Sequence, residues 1–159
     1  MTFQTGAMRL PIAATVAMLI ASPAAALSCM RPSFDRSFDQ ARDAEEAYGI
    51  LAGSIDVDEV KVKQASKDGT TPYSVMGMFT GAAIYSEGLS ENFQREITVE
   101  VKCYGPWCGN AQDIEDVILF AKLGAAGSLM VEDNPCGGTF FGADKVGIAR
   151  AVERLRGSE

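Results

Sequence analysis

The sequence contains no histidine, and this absence removes many kinds of catalytic and metal site. Serine–histidine–aspartate triads, cysteine–histidine dyads and HExxH zinc sites all need an imidazole. A histidine pH switch is excluded for the same reason. The S-x-x-K motif is also missing, so nothing marks an activated serine. We therefore expect a protein that is not an enzyme and that holds no cofactor.

Positive charge is scarce as well. There are 14 Lys and Arg residues against 21 Asp and Glu, which gives a formal charge of −7. Binding to nucleic-acid phosphates needs a basic surface, so we expect no nucleic-acid partner. Arg150, Arg154 and Arg156 form a small basic face near the C-terminus, and we expect this face to be solvated.

A long apolar run occurs only near the N-terminus. Arg9 precedes about a dozen apolar residues, and the small residues Ala24, Ala25 and Ala26 follow, which is typical of a secretory signal peptide over 1–26. The run is shorter than the roughly 20 residues that span a bilayer. The sequence therefore predicts cleavage near Ala26, export to the periplasm or beyond, and no membrane span in the mature chain.

The predicted mature chain, 27–159, is one domain in length. It contains all four cysteines, Cys29, Cys103, Cys108 and Cys136. We do not expect a lipid anchor on Cys29, because bacterial lipoprotein signals usually carry the leucine one position earlier than Leu27. An even number of cysteines in an exported chain indicates two disulfides, and four cysteines allow three pairings.

No metal site is expected from these residues. A zinc site is weakly supported because histidine and a second C-x-x-C pair are missing. The acidic residues at 113–116 and 132–133 lack the spacing of a calcium loop and predict a solvated rim. Cys103 and Cys108 are a candidate redox pair, but catalytic dithiols are usually C-x-x-C at a helix N-terminus, so a structural disulfide is favoured.

Hydrophobic periodicity predicts two helices. Apolar residues recur at helical spacing from Phe34 to Tyr48, which predicts a helix over about 34–47. Ile148, Val152 and Leu155 share a second helical face, which predicts a helix over about 144–156 that Gly157 ends.

Between these helices the pattern is that of strands. Alternating apolar residues over 50–64 predict a strand pair or a bulged strand, and 73–85 carries Gly77 and Gly81, which mark bulges or tight bends. The range 93–104 alternates clearly, and the continuous apolar run over 117–123 predicts a strand that is covered on both faces. Glycines at 124–127 predict a hairpin into 128–132. Such strands favour a small barrel or sandwich.

Several short motifs occur in the order found in a known family. They are Ser28-Cys29-Met30-Arg31-Pro32, Phe38 with Ala41, Gly53, Cys108-Gly109, the strand 117–121, and Cys136-Gly137-Gly138-Thr139. Together they resemble netrin-like modules and tissue inhibitors of metalloproteinases. The run Cys103–Gly109 also resembles a motif of small exported alphaproteobacterial proteins. The resemblance implies a mainly β, OB-like five-stranded Greek-key barrel with flanking helices.

The resemblance also implies a disulfide pairing. The family pairs its first N-terminal cysteine with a mid-domain cysteine and its second with a late one. Leu27 stands at the first position here. The resemblance therefore implies Cys29–Cys136 and leaves Cys103 as the partner of Cys108.

We therefore expect an exported, non-catalytic binding module whose partner is a protein, with Trp107, Leu27 and Ser28 as candidate contacts. For Trp107 the favoured interpretation is that it covers the barrel end and shields the short disulfide. One alternative function is secreted protease inhibition of the netrin-like class, although the N-terminus at Leu27 would not be held rigid as in that family. A less favoured alternative is a thiol–disulfide protein that uses Cys103 and Cys108.

Overall fold

The computed structural model describes residues 28–158. The predicted signal peptide and Leu27 lie outside this range. The helices and strands follow in chain order: α1 (Phe34–Asp43), β1 (Tyr48–Val57), α2 (Glu59–Ala65), β2 (Tyr73–Tyr85), β3 (Gly88–Leu89), β4 (Phe93–Val101), β5 (Cys103–Tyr104), β6 (Trp107–Cys108), β7 (Ile114–Leu123), β8 (Leu129–Asp133), β9 (Phe140–Gly142) and α3 (Lys145–Arg156). A short 3-10 turn, Ala125–Gly127, links β7 to β8.

Five long strands close into a barrel. Their order is β1-β2-β4-β8-β7, and β7 pairs with β1 again to complete the circle. The β4–β8 pairing is parallel and the others are antiparallel. This Greek-key order confirms the predicted mainly β, OB-like fold. The short strands β3 and β9 extend the sheet at β2 and β7.

The barrel has one core inside it and another on its outer surface. The inner core contains Phe79, Ile97 and Leu119, which are completely or almost completely buried. The outer core lies between the sheet and the helices α1 and α3. Along β7, alternate residues enter the two cores, so the five residues Val117–Ala121 are all buried. The prediction of a strand over 117–123 that is covered on both faces is confirmed for Val117–Ala121, whereas Leu123 is 44% exposed.

The basic face of α3 is bonded to its neighbours and is not freely solvated as the sequence predicted. Arg150 Nη2 lies 2.5 Å from Asp35 Oδ2, and Arg154 Nη2 lies 2.5 Å from Asp39 Oδ1. The Arg154 guanidinium also lies 4.7 Å from the centre of the Phe38 ring. These contacts join α3 to α1 across the outer core, so the two predicted helices form one layer.

The bounds of the first helix differ from the prediction. It ends at Asp43 rather than near residue 47. Tyr48 already begins β1 and pairs with Lys122, and the Ala47 carbonyl accepts a hydrogen bond from the Leu123 amide at 2.8 Å. The chain therefore leaves the helix before 47 in order to join the sheet. The C-terminal helix agrees with the prediction, with Asp144 as its N-cap and Gly157 as its C-cap.

The predicted strand over 50–64 is only partly correct. Its second half is the helix α2, and Asp58 caps that helix by accepting hydrogen bonds from the amides of Val60 and Lys61 at 2.9 and 3.3 Å. Similarly, the strand predicted over 93–104 is interrupted. The barrel strand β4 ends at Val101, and Cys103 begins a separate short strand.

Candidate functional site

Strands β5 and β6 form a small hairpin that is closed by a disulfide. Cys103 pairs with Cys108 and Tyr104 pairs with Trp107 across the two strands. The cysteines are bonded to each other, with their Cα atoms 4.0 Å apart. Gly105, with φ of +62°, and Pro106 make the two-residue turn. A positive φ at the first turn position needs glycine, so the sequence is well suited to this tight connection.

The base of this hairpin is anchored to the end of β8. The Lys102 amide donates to the Asp133 carbonyl at 2.8 Å, and the Asn110 amide donates to Asp133 Oδ2 at 3.0 Å. A Cβ on Gly109 would lie 2.4 Å from the same carbonyl oxygen, so only glycine fits there. Burial raises the pKa of Asp133, and the Asn110 hydrogen bond opposes this shift. Asp133 therefore has a structural role in holding the hairpin.

The tip of the hairpin presents two aromatic side chains. Tyr104 is 49% exposed and Trp107 is 38% exposed. Trp107 belongs to neither hydrophobic core, and its covering of the barrel end and of the short disulfide stays a prediction. Burying a large aromatic side chain removes much apolar surface from water and is therefore favourable. Tyr and Trp are enriched at protein interfaces for this reason. An exposed pair on a rigid hairpin is therefore suited to contact another molecule.

A second disulfide ties the N-terminal segment to the loop after β8. Cys29 is bonded to Cys136, with their Cα atoms 5.3 Å apart. Ser37 Oγ donates to the Gly138 carbonyl at 2.6 Å and strengthens this attachment. Both disulfides have the pairing that the family resemblance implies. Ser28 is exposed next to this disulfide, whereas Leu27 lies outside the described residues.

The setting of Cys103 and Cys108 favours a structural role over redox chemistry. Both residues lie in paired strands, so neither has the helix N-terminus that lowers the pKa of a catalytic thiol. Within the predicted acidic rim, Asp113 makes a structural hydrogen bond: its Oδ1 accepts from the Val57 amide at 2.8 Å. Over residues 28–158, no three His, Cys, Asp or Glu side chains are placed to hold a metal ion.

Two clefts among the described residues are candidates for ligand binding that the sequence did not indicate. One of about 200 Å³ lies between α1 and the loop 134–139. Its lysine, Lys122, pairs with Glu132 at 2.9 Å and with Glu46 at 3.3 Å, and these contacts raise the pKa of Lys122. A larger cleft of about 610 Å³ opens at one end of the barrel between Ile50, Ile84 and Leu123.

The larger cleft has the size of an ordinary ligand pocket, but its arginine already has partners. Arg95 Nη1 donates to the Gly127 carbonyl at 3.0 Å, and the guanidinium lies 5.9 Å from the centre of the Phe93 ring. In the smaller cleft, Lys122 also has partners, because it forms ion pairs with Glu132 and Glu46. The aromatic hairpin is therefore the stronger candidate for a functional site.

Comparison with known proteins gives no match: no family model, curated protein or solved structure is similar to this chain at a significant level. The netrin-like resemblance therefore stays a prediction. No helix within the described part of the chain has both the length and the apolar character that crossing a membrane requires. The two disulfides are compatible with an exported protein.

Proposed function

We propose that this chain is an exported, non-catalytic module that binds a protein partner through the tip of the β5–β6 hairpin. The observation that carries the proposal is the exposure of Tyr104 and Trp107 on a hairpin that a disulfide closes. Trp and Tyr dominate the binding free energy at many interfaces. A contact that is already rigid also loses little conformational entropy when it binds.

Export is supported by the sequence pattern over 1–26 and by the two disulfides. A non-catalytic role is supported by the lack of histidine and by the structural hydrogen bonds of Asp133, which is the acid whose pKa burial raises. The OB-like barrel then serves as a scaffold. It holds the hairpin by its base and leaves the aromatic tip free to enter an apolar pocket of the partner.

Site-specific photocrosslinking tests this proposal. A photoreactive phenylalanine analogue replaces Trp107 in one variant and Tyr85 in a matched control, because Tyr85 is an exposed aromatic residue of β2 at 55% exposure. We expect a discrete crosslinked protein only from position 107. The affinity of the crosslinked partner for the unmodified protein is then measured with both proteins purified.

The affinity measurement decides the role of the indole. We expect Trp107→Ala to weaken binding by at least about tenfold, which corresponds to an interface residue of more than 1 kcal/mol. Tyr85→Ala is expected to bind like the unaltered protein. Equal binding by Trp107→Ala and the unaltered protein would show that the hairpin tip is not the contact.

A second candidate function is protease inhibition of the netrin-like class. It is favoured by the exposed Ser28 beside the Cys29–Cys136 disulfide, which attaches this segment firmly to the barrel. Inhibition assays against zinc and serine proteases test it, with N-terminal acetylation as the control. Inhibition that acetylation abolishes would support this function, and no inhibition of either class would rule it out.

A further inference from the structure

The two ends of the barrel are built differently. At the end where β1 finishes, α2 follows and its Val62 packs on the inner core. At the opposite end lies the larger cleft, of about 610 Å³. All five barrel strands line it, through Leu51 of β1, Ala83 of β2, Phe93 of β4, Leu123 of β7 and Leu129 of β8. We call this cleft the barrel mouth.

The inner face of the barrel continues into this mouth. Leu51 and Leu129 line it and belong to the inner core. Residues two apart on a strand share a face, which places Tyr85 and Leu123 on the inner faces of β2 and β7. Tyr85 is nevertheless 55% exposed, and Leu123 is 44% exposed. Apolar side chains on the inner face therefore remain in contact with solvent at this end.

Gly49 leaves room in the mouth. It is two residues from Leu51 on β1 and shares the inner face. A Cβ at this position would already lie 3.3 Å from Leu123 Cδ2, so a larger side chain would fill the cleft. Small-molecule sites typically have volumes of about 300–1,000 Å³, and barrel mouths are among the places where they occur. The mouth has the size and the apolar lining of such a site.

Arg95 supplies a positive charge at the mouth. Its Nη1 donates to the Gly127 carbonyl at 3.0 Å, and its guanidinium lies 5.9 Å from the centre of the Phe93 ring. Both partners are uncharged, and Arg95 forms no ion pair with any residue of 28–158. The guanidinium is therefore held in place while its charge and its other N–H donors stay available.

We propose that the barrel mouth binds an amphipathic carboxylate of the fatty-acid class. The hydrocarbon chain lies against the inner-face side chains and covers Tyr85 and Leu123, which removes apolar surface from water. The carboxylate pairs with Arg95, because guanidinium and carboxylate groups form two parallel, charge-assisted hydrogen bonds. A sugar or a nucleotide fits this lining poorly, since its many polar groups would lose their hydrogen bonds to water.

Methyl nuclear magnetic resonance of the purified, disulfide-bonded protein tests the proposal, with octanoate as the probe. We expect the methyl signals of Leu51, Leu123 and Leu129 to move together and to follow one binding curve. Val60 and Val146 are the internal controls, because they are 60% and 75% exposed and do not line the mouth. Their signals are expected to stay in place.

The role of the charge is tested with Arg95→Gln. We expect this variant to bind octanoate at least about tenfold more weakly, because a hydrogen-bonded ion pair is lost, and to bind octanol like the unaltered protein. Arg36→Gln removes the same charge from α1 and should leave octanoate binding unchanged. Glu91 is an exposed acid that also lines the mouth. Because its charge repels a carboxylate, Glu91→Gln is expected to bind octanoate at least as tightly as the unaltered protein.

The role of the cavity is tested with Gly49→Val, which keeps Arg95 and fills the mouth. We expect it to weaken the binding of both octanoate and octanol by at least about tenfold, because the hydrocarbon chain loses its place. Trp107→Ala should bind both ligands like the unaltered protein, which separates the mouth from the hairpin.

Three results would overturn the proposal. Signals of Val60 and Val146 that move as much as those of the mouth would indicate unspecific association. Unchanged octanoate affinity in Arg95→Gln would show that the carboxylate is not recognised. Unchanged affinity for both ligands in Gly49→Val would show that they do not enter the mouth.

Discussion

Asp68 shows how one carboxylate organises the turn between α2 and β2. It accepts hydrogen bonds from the amides of Thr70 and Thr71 and from Thr71 Oγ1, at 2.9, 3.0 and 2.9 Å. The Thr70 amide makes the largest contribution, and together the bonds lower the pKa of Asp68 to about 2. The pKa in the unfolded chain is about 3.9. Asp68 therefore stabilises the fold above about pH 4, and this contribution is lost as the pH falls through about 2.

A carboxyl-carbon titration by nuclear magnetic resonance measures this pKa directly. Thr71→Val removes the hydroxyl donor but keeps the side-chain shape and both amide donors. We expect this variant to raise the pKa of Asp68 toward its ordinary value without reaching it. A pKa near 3.9 in the unaltered protein would show that the turn does not form as described.

Gly53 and Gly81 let β1 and β2 approach closely at a point where they pair. A Cβ on Gly81 would lie 2.2 Å from the Ala52 carbonyl oxygen and 2.6 Å from Gly53 Cα. Because backbone atoms cannot move aside, we expect Gly81→Ala to destabilise the fold by about 3 kcal/mol in denaturant unfolding. Gly142→Ala, whose Cβ meets no atom within 4 Å, is the control and should unfold like the unaltered protein. Equal stability of the two variants would contradict the close approach.

The ion pairs between α1 and α3 give the stability of the helical layer a pH dependence. The hydrogen bond from Arg150 lowers the pKa of Asp35. A lowered carboxyl pKa stabilises the fold above the unfolded pKa of about 3.9, and this stabilisation is lost as the pH falls through the folded value. We therefore expect Arg150→Gln to reduce the midpoint of denaturant unfolding at pH 7 and to reduce it less as the pH is lowered below the unfolded pKa.

Arg36→Gln is the control for this prediction. Arg36 lies on α1 and donates a hydrogen bond to the Arg31 carbonyl. Its replacement by Gln removes the same charge as Arg150→Gln. We expect its unfolding midpoint to follow the unaltered protein over the same pH range. If Arg36→Gln and Arg150→Gln lost the same stability at pH 7, net charge rather than the Asp35 pair would be the cause.

Among the helices and strands, the sequence predicted correctly those whose hydrophobic pattern fits only one type of secondary structure. The run 117–121 in β7 is apolar throughout because both of its faces are buried, and this continuous apolar run indicated the strand. At 60–62 the spacing of the valines was compatible with either a strand or a helix. Val62 packs on the inner core while Val60 is 60% exposed, so the alternation was not that of a strand face. The deciding signal was Asp58, whose side chain caps α2.

At the scale of the whole molecule, part of the hairpin site was visible in the sequence. Trp107 between Pro106 and Cys108 indicated a tight, stapled loop, and the structure places it at an exposed tip. The parallel β4–β8 pairing places Thr98 opposite Met130, two residues that are distant in the sequence. Such a pairing depends on barrel closure, which no local pattern encodes.

The two disulfides act on different parts of the molecule. Cys29–Cys136 spans 107 residues and Cys103–Cys108 spans 5. In the chain-entropy model, loops of these lengths correspond to about 4–5 and about 2 kcal/mol. We therefore expect Cys29→Ser with Cys136→Ser to lower the free energy of unfolding about twice as much as Cys103→Ser with Cys108→Ser, measured in guanidinium chloride. The second pair should instead speed amide exchange at Tyr104 and Trp107. Equal losses of stability would mean that the hairpin disulfide supports the barrel itself.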